Sequence, residues 1–109
     1  MSIDAIGYVR SDVSGAHQKA DEERVRAHAK HHGYNLRKTI VFGQQTDRPE
    51  YRLGVILDRM SDVEAVIVPN VQHFADDQIP AEIAARADVV IVAPPSKLAR
   101  LTQLARVGR

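Results

Sequence analysis

The chain has 109 residues, 44% hydrophobic and 27% charged, a globular mix that excludes a disordered or collagen-like chain and suits one domain. Fifteen basic against fourteen acidic residues leave a net charge of +1, which excludes a strongly basic nucleic-acid coat and gives no reason to expect a membrane surface as partner. Cysteine is absent, and with it disulfides, thiolate metal sites and thiol catalysis.

The apolar clusters are short β-rich runs separated by longer helical stretches. Strands are expected at Ile3 to Arg10, Thr39 to Phe42, Ala65 to Val68 and Val89 to Ala93. Three of them are near-continuous rather than alternating, as in strands buried on both faces of a parallel sheet. The first helix is placed at Gly15 to His32, its acids in the first half and its bases in the second, with Gly33 as the residue that ends it. Its apolar face is thin, made of Ala16, Ala20, Val25 and Ala29. The second helix starts at Asp47-Arg48-Pro49-Glu50, with Asp47 as cap, and carries Leu53, Ile56, Leu57 and Met60 on one face. A third spans about Asp77 to Ala87, with Ile79 and Ile83 turned inward and Pro80 in its first turn. The fourth follows Pro94-Pro95, with Ser96 as cap and Leu98, Leu101 and Leu104 along it. The alternation predicts an α/β fold, a three-layer, doubly wound, mainly parallel sheet of flavodoxin-like arrangement, in a single domain over residues 1–109.

Apolar runs reach only about five residues, far short of the ~20 that span a membrane, and Met1-Ser2-Ile3-Asp4 lacks the regions of a signal peptide. A cytoplasmic domain is therefore expected, with no membrane partner.

In such sheets the working residues gather at the carboxyl ends of the strands, here residues 10–18, 43–48, 69–77 and 93–97. No Gly-rich dinucleotide fingerprint or phosphate loop follows any strand, so no small-molecule cofactor is expected. The first of these ends reads Tyr8-Val9-Arg10-Ser11-Asp12-Val13-Ser14-Gly15-Ala16-His17-Gln18. Tyr8-Val9-Arg10, then Val13-Ser14 and Gln18, resemble the Tyr-x-Arg-Val-Ser segment and following Gln of the catalytic domain of serine recombinases, the resolvase/invertase family. Thr46-Asp47-Arg48 ahead of the Leu-rich helix, and the hydrophobic strand from Val63 to Pro69, resemble the next two segments of that family. The resemblance covers roughly residues 3–93. It implies a resolvase-like fold, Ser14 as nucleophile toward a DNA phosphate, and Arg10 and Arg48 as phosphate-binding arginines. A serine hydroxyl is a weak nucleophile, and the anionic phosphodiester must be neutralised before attack, work that the planar guanidinium suits.

The chain departs from the family pattern at three places. Two extra residues, Ser11 and Asp12, separate Arg10 from Val13-Ser14. Where the family has two further arginines after the third strand, this chain has His73 and Asp76. A carboxylate in a cation's place repels the phosphate it should hold. The family also continues into a long dimerisation helix and a DNA-binding module, which the single-domain reading leaves out. The expected function is thus a catalytically inactive recombinase-like domain that acts as a protein-interaction or regulatory module. The alternative is a divergent serine recombinase using Ser14 with Arg10 and Arg48.

Each singled-out residue also has a plain structural role to weigh. The ubiquity of capping favours Ser14 as a helix N-cap over a remnant nucleophile. Arg10 and Arg48 form either a remnant anion site or a salt-bridge network with Asp12, Asp47 or Asp76. His28 and His32 lie one turn apart with His31 beside them, yet nothing completes a tetrahedral set, so no metal is expected. Leu98, Leu101 and Leu104 either cover the sheet or form a dimer seam. Around them Lys97, Arg100, Arg106 and Arg109 make the most basic part of the chain. Arg100 and Arg106, with Arg10 and Arg48, are the candidate DNA-phosphate contacts. Expected partners are a second copy of the chain, another recombinase-like or DNA-bound protein, or DNA itself, held weakly.

Overall fold

The computed structural model describes residues 2–92. Their elements run β1 (Ile3–Arg10), α1 (Ser11–Ser14), α2 (Gln18–His31), β2 (Tyr34–Phe42), α3 (Pro49–Arg59), β3 (Ala65–Val68), α4 (Ala81–Arg86) and β4 (Asp88–Ile91). Single 3-10 turns lie at Gly15–His17, Val71–His73 and Ala75–Asp77. The strands form one parallel sheet in the order β2-β1-β3-β4. The order reverses between β1 and β3, the switch point beside which sheets of this kind place their binding sites. The expected α/β, doubly wound class is the observed one.

Alternation along the strands builds a core on each face. Ile6 and Tyr8 of β1, with Val66 and Val68 of β3, pack against Leu53 and Leu57 of α3 and Ile83 of α4. Ala5, Val9, Ala65 and Ile67 face the other way and meet Val25 and Ala29 of α2. Being central, β1 and β3 bury both faces, which explains their continuous apolar runs. Gly7 lets α2 sit close: a Cβ there would lie 2.8 Å from a Val25 methyl and 2.8 Å from Thr39 Oγ1.

Four expectations change. β2 begins at Tyr34, not Thr39, because edge position and half-exposure disperse its apolar pattern. A bulge at Arg37 also breaks it: Leu36 pairs with Ala5 and Lys38 with Ile6, and the spare residue's guanidinium meets Asp62 at 2.6 Å and Asp4 at 3.3 Å. The first helix is split into α1, a 3-10 turn and α2, with Ala16 and Ala20 exposed; Gly33, at φ 78°, does end it. At α3, Arg48 in left-handed conformation occupies the N-cap position without a side-chain cap bond, so Asp47 is not the cap, while Pro49 opens the helix as expected. Pro80 precedes α4 rather than lying within it, and Ile79 is 42% exposed.

Candidate functional site

The chain leaves β1 at Arg10 and turns at once into α1, which brings Ser14 back beneath α2. Ser14 Oγ donates a 2.5 Å hydrogen bond to Asp21 Oδ2. Ser14 is 6% exposed and Asp21 5%. Ser14 closes α1 with helical angles (φ −67°, ψ −37°) and makes no cap bond, which overturns its reading as an N-cap. From the other side His73, fully buried on the 3-10 turn after β3, places Nε2 3.8 Å from the same Asp21 oxygen. Its Nδ1 accepts the Arg10 backbone N–H at 2.8 Å. Burial holds the His73 imidazole below the usual histidine range; Asp21 opposes that shift and Arg10 adds to it. A neutral ring at 3.8 Å makes neither an ion pair nor a hydrogen bond with Asp21. Ser14, Asp21, His73 and Gln72 border a polar cavity of about 280 Å³.

A second cavity, of about 500 Å³, lies at the start of α3. Arg10 and Arg48 both line it, with Glu50 and Tyr51 beside them. The Arg10 guanidinium is gripped by Asp12, at 2.5 Å from Nη2 and 3.2 Å from Nε. Arg48 lies 3.5 Å from Asp47 and 4.7 Å above the Tyr51 ring. The Glu50 carboxylate accepts the Ala75 N–H at 2.6 Å, tying α3 to the turns after β3. Of the acids named as arginine partners, Asp12 and Asp47 fill the role, while Asp76, left-handed at φ 57°, pairs with neither arginine among the described residues. The two arginines therefore share one cavity, and Ser14 borders the other.

A solved structure with this architecture is the C-terminal catalytic domain of ISC1926 TnpA, an IS607-like serine recombinase. The likeness has a TM-score of 0.67 at 14% identity and covers 96% of this chain and 78% of that one. The fold is serine-recombinase-like. No family model and no curated protein matches the sequence. At this identity the likeness is one of fold.

Within that recombinase-like fold, the serine-bearing segment follows the carboxyl end of β1. The positions expected to have lost arginines behave differently from each other: His73 is built into the core and Asp76 is exposed. His28, His31 and His32 cluster at the end of α2, with ring centres 4.2 Å apart for His28–His32 and 5.0 Å for His31–His32. Partial burial, then the charges of His32 and His31, keep His28 below the usual range. Among the described residues no three ligands are placed to hold a metal ion, and no helix is long and apolar enough to cross a membrane. Leu98, Leu101, Leu104, Arg100 and Arg106 lie outside the described residues. Sequence reasoning missed Asp21, whose place in the first turn of α2 resembles ordinary helix-dipole acid.

Proposed function

We propose that the chain is a resolvase/invertase-type recombinase domain that has lost strand exchange and serves as an interaction or regulatory domain. The observation that carries this reading is the separation of the serine from the arginines: Ser14 donates its hydroxyl hydrogen bond to Asp21 beside one cavity, while Arg10 and Arg48 line another. A nucleophile needs its oxygen and the groups that neutralise the phosphate on the same atom cluster. Here a carboxylate holds the hydroxyl, and Asp12 already occupies the Arg10 fork. The partner chemistry that fits is a second copy of the chain or a DNA-bound recombinase-like protein.

Trapping on nicked and supercoiled duplexes tests it. No covalent protein–DNA adduct should accumulate, and the trace should be the same for Ser14→Ala. An adduct that disappears in Ser14→Ala restores the reading as a divergent recombinase. Sedimentation of the full chain should show a mass that rises with concentration, and Leu101→Glu should remove that rise while leaving the circular dichroism unchanged. A constant monomer mass, alone and with DNA-bound recombinase, sinks the interaction reading.

A further inference from the structure

The turn that follows β3 is tied to the end of β1 through one imidazole. His73 is fully buried, and its Nδ1 accepts the Arg10 N–H at 2.8 Å. An imidazole that accepts at Nδ1 carries its single proton on Nε2. That Nε2 has no hydrogen-bond partner among the described residues. The carboxylate nearest to it, at 3.8 Å, already accepts from Ser14.

We propose that His73 is a proton-operated latch between the turn after β3 and the end of β1, closed while the ring is neutral and opened by a second proton. That proton must go to Nδ1, because Nε2 already holds one. Two N–H donors then face each other where one hydrogen bond stood, and the turn is pushed off β1. The imidazolium is drawn at the same time toward Asp21. The groups facing the ring come from three elements and one turn. Arg10 of β1 opposes its charging, while Asp12 of α1 and Asp21 of α2 favour it. Arg24, 3.7 Å from Asp21, offsets part of that carboxylate's pull, and His17 of the 3-10 turn borders the same cavity. Burial outweighs the acids and lowers the His73 pKa, so the latch is shut at neutral pH.

The sign follows from proton counting. Between the folded-state pKa and the ordinary value of about 6.5, the unlatched ring holds more protons than the latched one. The closed state is therefore fully favoured above about pH 6.5 and loses ground as pH falls through the lower, folded value. Arg10 is the residue released, and it also lines the arginine cavity, so the latch links the two cavities.

Amide hydrogen exchange on the full chain reads the latch directly. After correction for the intrinsic pH dependence of exchange, Arg10 N–H protection should fall about tenfold or more between about pH 7.5 and about pH 5, with its midpoint below about 6.5. In His73→Asn the side-chain oxygen, which like Nδ1 is bonded to Cγ, can still accept the N–H but does not titrate, and the fall should vanish. In Asp21→Asn the midpoint should move lower still, because the charged ring loses its carboxylate. Should His73→Asn not fold, Asp21→Asn decides alone. Protection that is flat with pH in the wild-type chain, an undiminished fall in His73→Asn, or an unmoved midpoint in Asp21→Asn each overturns the latch.

Discussion

Ser14 and Asp21 meet through a 2.5 Å hydrogen bond inside the protein, seven positions apart in the chain and on different helices. The pair turns a serine just beyond the carboxyl end of β1 into part of the packing between α1 and α2. Ser14→Ala should cost about 1–3 kcal/mol, since it leaves a buried carboxylate oxygen without its donor. Urea denaturation measures this. A change below about 0.5 kcal/mol would mean that water replaces the hydroxyl at no cost.

Gly7 is the second test of how α2 is seated. Gly7→Ala drives a methyl to 2.8 Å from Val25 and from Thr39 Oγ1, inside the layer between α2 and the sheet. Overpacking of this kind costs about 1–3 kcal/mol and should appear as a lower denaturation midpoint with an unchanged slope. An unaffected midpoint would show that the α2 face yields freely.

Tyr8 presents the opposite case. Its ring is fully buried, stacked on Phe74 at 5.4 Å and edge-on to Phe42 at 6.1 Å, while its hydroxyl has no partner among the described residues. Burial pushes the phenol far above its ordinary range; Arg10 pulls it back only in part. Tyr8→Phe removes an unsatisfied polar atom and keeps the packing, so Tm should stay level or rise. A loss above about 1 kcal/mol would reveal a partner for the hydroxyl.

Asp12 governs what the arginine cavity can do with anions. It grips the Arg10 fork on two nitrogens, so Asp12→Asn should release one guanidinium for a phosphate. Fluorescence anisotropy with a random duplex should then show tighter binding at low salt, by about three- to tenfold, and a salt slope steeper by about 0.9. Equal slopes for the two proteins would place Arg10 away from any DNA contact.

How far the residues alone carry the fold shows in particular strands. β1 and β3 have the boundaries that their composition predicts, Ile3–Arg10 and Ala65–Val68, because Ala5 to Val9 and all of β3 are buried on both faces and so read as continuous apolar runs. Leu53 and Leu57 take the inward face of α3 by helical spacing, with Ile56 and Met60 packed beside them. β2 was legible only in its last four residues, since an edge strand with a bulge at Arg37 has no single period to read.

The candidate site divides in the same way. The sequence by itself determined the α/β alternation, the absence of thiol chemistry, and the presence of Arg10, Ser14 and Arg48 at strand ends, because these depend on local pattern and residue type. Only the tertiary structure decided that Ser14 binds Asp21, that Asp12 occupies Arg10, and that His73 accepts the Arg10 N–H from 63 positions away. An acid in the first turn of a helix and a histidine after a strand look ordinary in the chain. Their chemistry comes from burial: β1 and β3 lie side by side, and the residues at their exits are packed together with little exposure. There a polar atom depends on whatever partner the packing supplies.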